Sequence, residues 1–176
     1  MKRLILLITL FIAGATFAQI EKPTDGKIFE VMFTPNTLGG NMFSLYGTPD
    51  LEGHIVMRTF DDATSVTRWK AHFSYLSVDG VDDDDMVLGL FYGKENHHEG
   101  TNRLATYTGW EAGLYYVDVE GEDSTVFSGG VFVGANYYIA NNLYLGTEIG
   151  YGVGIGEDVT NLGTSVNGVL TLGFKL

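Results

Sequence analysis

Residues 143–151 read Leu143-Tyr144-Leu145-Gly146-Thr147-Glu148-Ile149-Gly150-Tyr151. The odd positions carry Leu, Leu, Thr, Ile and Tyr, and the even positions hold Tyr144, Gly146, Glu148 and Gly150. A period of two belongs to a strand, whose successive side chains point to opposite faces. The even face decides more than the odd one. Glycine weakens a strand, and a water-facing surface would sooner carry Thr, Lys or Glu. Glycine mixed with an isolated charge suits the inside of a narrow barrel, where eight strands enclose a space just wide enough for side chains to fill.

The same alternation recurs on both sides of this segment. Thr67, Trp69, Ala71, Phe73 and Tyr75 oppose Arg68, Lys70, His72 and Ser74; Trp110, Ala112, Leu114 and Tyr116 oppose Gly109, Glu111, Gly113 and Tyr115; Val166, Leu170, Leu172, Phe174 and Leu176 oppose Asn167, Thr171, Gly173 and Lys175. Eight strands are expected: Lys27–Thr34, Leu51–Phe60, Val66–Leu76, Met86–His98, Leu104–Asp118, Val126–Ile139, Leu143–Val153 and Val166–Leu176. Most reach about ten residues, as a tilted strand crossing a bilayer needs, whereas globular strands average about five or six. The connections alternate in length. Pro35–Asp50, Ser77–Asp85, Val119–Thr125 and Gly154–Ser165 have 16, 9, 7 and 12 residues, against 5, 5 and 3 for Asp61–Ser65, Glu99–Arg103 and Ala140–Asn142. Long and short connections therefore collect at opposite ends, as in outer-membrane barrels. Alternation alone would also fit a soluble sandwich; strand length and the glycines on the polar face (Gly113, Gly130, Gly134, Gly146, Gly150, Gly173) favour the all-β, eight-stranded antiparallel up-and-down transmembrane β-barrel.

Composition agrees by exclusion. The 176 residues include 22 acidic and 10 basic side chains and no cysteine, for a net charge of −12. That removes disulfide scaffolds and Cys-ligated zinc, and without a basic tract it removes a nucleic-acid surface. A hydrophobic fraction of 45% excludes disorder. Lys2 and Arg3, the apolar run from Leu4 to Phe17, and Ala18 before Gln19 form the three-part pattern of a secretory signal. Cleavage after Ala18 is expected, with residues 1–18 as signal peptide, 19–26 as a lead-in and 27–176 as the barrel. No later stretch approaches the length of a spanning helix.

The inward face carries charges of both signs. Arg58, Arg68, Lys70 and Lys175 would face Glu95, Glu111 and Glu148, and a buried charge must be partnered. We expect a structural lumen network from these seven residues. No catalytic site is expected. His97 and His98 are adjacent and point to opposite faces of a strand, so they cannot jointly chelate a metal. His72 and Ser74 share a face but lack an orienting third group. The run from Gly150 to Gly156 lacks the Lys and Ser/Thr of a phosphate loop, so no cofactor is expected. The four long connections hold eleven acids and no Lys or Arg. Self-repelling solvated loops explain that density, and weak divalent-cation binding at Asp79, Asp82, Asp83, Asp84 and Asp85 is the sharper expectation.

Three segments carry a family resemblance: Glu95-Asn96-His97-His98-Glu99-Gly100-Thr101-Asn102-Arg103-Leu104, Tyr137-Tyr138-Ile139-Ala140-Asn141-Asn142-Leu143-Tyr144-Leu145-Gly146-Thr147-Glu148, and the end Leu172-Gly173-Phe174-Lys175-Leu176. The chain from Lys27 to Leu176 resembles the small eight-stranded outer-membrane β-barrels of Gram-negative bacteria, the OmpA-transmembrane-domain and OmpX-like group, in the form common among Bacteroidota. It departs from the common pattern in ending on Leu176, with the aromatic Phe174 two positions earlier on the same face. The resemblance implies a monomer in the outer membrane, contact with outer-membrane lipid, and the barrel-assembly machinery as a partner during biogenesis. A structural or interaction role is expected, with loops open to divalent cations or an extracellular partner; transport of small solutes is the rival.

Overall fold

A computed structural model describes residues 20–33, 53–76, 85–119, 122–156 and 160–176. The expected signal peptide, Met1–Ala18, lies outside them. Among the described residues eight strands follow one another: β1 (Lys27–Phe33), β2 (Gly53–Phe60), β3 (Ser65–Leu76), β4 (Asp85–His98), β5 (Leu104–Val119), β6 (Glu122–Ala140), β7 (Leu143–Ile155) and β8 (Thr160–Lys175). Each pairs antiparallel with the next, and β1 closes on β8 from Ile28 opposite Lys175 to Phe33 opposite Leu170. The sheet is thus an up-and-down barrel, and closure removes the unpaired edges that open sheets must protect.

Two faces follow from the pleat. Outside stand Phe73, Phe127 and Val131, at 61%, 66% and 60% exposure, together with Trp69, Trp110, Leu114 and Ile149. Inside lie Arg58, Arg68 and Glu30 at 0%. Charged side chains are thus buried inside among apolar ones, while large apolar side chains stand exposed outside.

The barrel extends further at its long-connection end than side-chain pattern predicts. β5 and β6 stay paired to Val119 opposite Glu122, so Glu122 and Asp123, expected in a loop, lie in β6. Likewise Asp85 opens β4 opposite Leu76, and β7 and β8 pair to Ile155 opposite Thr160. The reason is that backbone ladders do not require an apolar face, and polar strand ends such as Asp123–Thr125 read as loop when hydropathy is the guide. At the opposite end the β2–β3 turn is held by Asp62, whose Oδ1 accepts the Thr64 and Ser65 amides at 2.8 Å each. Those amides keep its carboxyl below the usual range.

Inside, glycines and aromatics are matched across strands. Gly134 faces Tyr107, Gly109 faces Phe132, Gly173 faces Tyr144, Gly89 faces Tyr115 and Gly113 faces Phe91. In each pair the ring lies where a Cβ on the glycine would stand. A ring laid over a glycine shields its backbone and fills a narrow lumen without overlap. Gly129, on the outer wall, has its nearest neighbour at ordinary contact, Glu111 O at 3.5 Å from an added Cβ. We therefore expect Gly173→Ala to lower stability by about 1–3 kcal/mol through overpacking, and Gly129→Ala to change it little. Urea unfolding of detergent-folded protein checks both; equal effects would refute the ring-over-glycine fit.

Candidate functional site

Strand alternation delivers the lumen charges from six strands. Arg58 on β2 and Arg68 on β3 stand directly opposite one another. Like charges in that relation repel, so the arrangement requires carboxylates from elsewhere. Arg58 Nε meets Glu95 Oε1 at 2.8 Å, another of its nitrogens pairs with Glu30, and Nη2 lies 3.7 Å from Glu148. Arg68 Nη1 reaches Glu148 Oε2 at 2.8 Å and Glu95 Oε1 at 3.4 Å, and its Nη2 lies 3.3 Å from Glu111. Lys70 pairs with Glu111. Six of the seven expected residues therefore meet in one cluster.

Lys175 does not join it. It faces inward but sits at the short-turn end, partly exposed, and donates to Asp25 at 2.6 Å. The end of the last strand lies beyond the reach of the central carboxylates.

Glu30 takes the place left in the network, and the sequence reading missed it. Its inward neighbours on β1 are Ile28 and Met32, both buried, so its face looks like an apolar core face. Two phenols were missed as well. Tyr107 accepts from Arg58 Nη2 at 2.9 Å and donates to Glu148 at 3.2 Å, while Tyr144 accepts from Arg58 Nη1 at 2.6 Å and donates to Glu30. Each cation also rests on a ring: Arg58 on Tyr107 at 4.8 Å, Arg68 on Phe132 at 4.3 Å and Lys70 on Phe91 at 4.5 Å. Such contacts compensate charges removed from water.

The histidines obey strand parity. His97 turns inward, 3.0 Å from Glu95 Oε2 and stacked on Tyr107. His98 turns outward to Thr108 Oγ1 at 3.1 Å. Of the expected acidic cation ligands, Asp79 and Asp82–Asp84 lie outside the described residues, and Asp85 begins β4.

The lead-in closes the lumen beneath the charges. Ile20 is buried against Ile28, Ala105, Tyr138 and Tyr144, with Phe60 at the margin. The Lys22 amide donates to Asn102 O at 2.8 Å, and the Glu21 amide to Asn141 Oδ1 at 3.3 Å. Residues from two short turns thus hold the segment across the barrel mouth.

Against known proteins, no family model matches the chain, and no curated protein matches it either. The reading of the site therefore rests on its geometry. That geometry pairs buried charges of opposite sign.

Removing one member of the cluster leaves the rest unpaired. Arg68→Met and Glu148→Gln should each lower stability by about 3–5 kcal/mol, and the double variant by less than their sum. A coupling of about 0.5–3 kcal/mol from urea titrations of the four species is expected; strict additivity would show that Arg68 and Glu148 do not act together.

Proposed function

We propose that the protein is an integral outer-membrane β-barrel with a structural or interaction role, its lumen filled and its acidic long connections facing the cell exterior. The observation that carries this reading is the inverted polarity of the wall: a ring of exposed aromatic and aliphatic side chains surrounds a charged interior. Soluble monomers rarely expose apolar patches above a few hundred Å², and lipid is the solvent such a wall suits. Three observations support it. β3 to β8 have 12 to 19 residues, more than the about nine to eleven that a tilted spanning strand needs. Trp69, Tyr92 and Trp110 meet edge to face on the outer wall, with centroids 5.0 and 6.1 Å apart, in the manner of an interfacial aromatic girdle. The secretory-signal pattern at Met1–Ala18 and the resemblance to the OmpA and OmpX-like barrels agree with export to the outer membrane.

The role is assigned to display and envelope structure rather than to catalysis or transport. A transport path would have to pass the Arg58–Arg68 cluster and the Ile20 cap, and both occupy the cross-section with partnered side chains. Weak attraction of divalent cations to the acidic connections belongs to the same reading.

Leu114 lies mid-strand on the outer wall of β5. On this reading Leu114→Arg should cost about 2–4 kcal/mol of folding into liposomes near the bilayer midplane. Folding yield and urea midpoints in vesicles measure it, and an unchanged variant would refute the lipid-facing assignment. Wild type should give no stepwise conductance in planar bilayers; well-resolved open channels would replace the structural role with transport.

A further inference from the structure

Above the ionic cluster, toward the long-connection end, the lumen changes chemistry. His54, near the start of β2, stands directly opposite His72 on β3. Their ring centroids are 4.7 Å apart and the rings are tilted by 37°. Both face inward, and His72 is buried. A third group arrives from β5: the Tyr115 hydroxyl lies 3.4 Å from His54 Nε2, with its ring edge-on to His72 at 5.9 Å. Gly89 makes this approach feasible. It sits on β4 opposite both His72 and Tyr115, and a Cβ there would fall 2.6 Å from the Tyr115 ring and 3.1 Å from His72 Cβ. Without a side chain at Gly89, the tyrosine lies across an intervening strand and reaches the histidine pair.

We propose that His54, His72 and Tyr115 form a binding site for a divalent transition ion of the Cu²⁺ or Zn²⁺ class. Directly opposed residues on antiparallel strands have Cβ atoms about 4.5–5.5 Å apart, which lets two imidazoles share an ion at about 2.0–2.1 Å from each nitrogen. Imidazole is the ligand these ions favour over Ca²⁺ or Mg²⁺. Among the described residues no three His, Cys, Asp or Glu side chains converge as ligands, so the third protein donor is the phenol and water completes the sphere. The cations nearest the pair, Lys70 and Arg68, are each held by carboxylates. Lys70, two residues from His72 on the same face, is paired with Glu111. The cluster beneath joins the carboxyls of Glu30, Glu95, Glu111 and Glu148 with Arg58, Arg68 and Lys70, so those three cations are engaged below the histidine pair. The strand ladder already holds the donors together, so binding needs no refolding of the barrel.

The test uses detergent-folded full-length mature protein. ZnCl₂ is titrated calorimetrically with CaCl₂ in excess, so that carboxylate-rich connections are already occupied. One equivalent of zinc should bind, and His54→Ala and His72→Ala should each weaken it at least about tenfold, with His98→Ala unchanged. No zinc binding in wild type, or equal binding in all four proteins, overturns the proposal. A readout on wild type stands even if an alanine variant fails to fold: one equivalent of CuCl₂ should give an electron paramagnetic resonance spectrum with splitting from two nitrogens. A spectrum of oxygen ligands alone overturns the site. Tyr115→Phe should keep the nitrogen splitting and lose any phenolate-to-copper absorption; an absorption that persists in this variant excludes Tyr115 as the third donor.

Discussion

Two arginines placed face to face on neighbouring strands set the terms for the rest of the barrel. Arg58 and Arg68 are fully buried and repel one another unless carboxylates surround them. The acids that do so come from β1, β4, β5 and β7, and Glu30 and Glu148 reach the pair because the barrel is closed. Charge neutralisation and closure are therefore one event. Buried ion pairs give little net stability compared with apolar side chains of equal volume, since desolvation offsets most of the attraction. Their stronger effect here is on register. A one-residue slip of β3 would send Arg68 and Lys70 to the outer wall and Trp69 and Phe73 inward.

The lumen is layered as a result. At the short-turn end Ile20, Ile28, Tyr138 and Tyr144 make an apolar floor. The ionic layer rests on it, and Tyr144 belongs to both, with its ring in the floor and its hydroxyl on Arg58 and Glu30. The histidine and tyrosine layer lies above. Each layer is packed by the same device, a ring set over the glycine of the neighbouring strand; of the polar-face glycines in the sequence, Gly113, Gly134 and Gly173 are spaces that aromatics occupy, while Gly146 makes room for Asn136 and Thr171 and Gly130 and Gly150 lie against backbone.

Much of this was legible in the sequence, and for a definite reason. Alternation is a direct consequence of strand geometry, so Trp69 out and Arg68 in, or Leu145 out and Glu148 in, follow once the strand is recognised. The tight connection expected at Asp61–Ser65 lies between Phe60 and Val66, which the structure pairs directly, and from that pair Arg58 falls opposite Arg68 and His54 opposite His72. Illegible were features that depend on three dimensions. Glu30 hides between inward Ile28 and Met32, and its partner Arg58 is recognisable as such once the strands are aligned. Lys175 has the right parity but the wrong height. Glu122 and Asp123 extend a ladder whose backbone bonds leave no trace in side-chain hydropathy. Tyr115 reaches His54 past both β4 and β3, a contact that the missing side chain at Gly89 makes room for.

The distribution of apolar side chains bears on what stabilises such a barrel. In a water-soluble domain the main favourable term is transfer of apolar surface into the protein's own core. Among the described residues eleven apolar side chains are buried, nine of them in the floor or against the charged side chains, while Trp69, Phe73, Phe127 and Val131 stay exposed after folding. Folding in water would leave that surface wet and would still require desolvating Arg58 and Arg68. On the proposed outer-membrane reading, folding against hydrocarbon reverses the balance. The outer wall loses its contact with water to lipid, unpaired backbone groups become costly enough to favour complete closure, and the charges gain by gathering inside. On the same proposed reading, the exposed apolar wall, the closed ladder and the buried ionic layer share one physical cause in an apolar solvent.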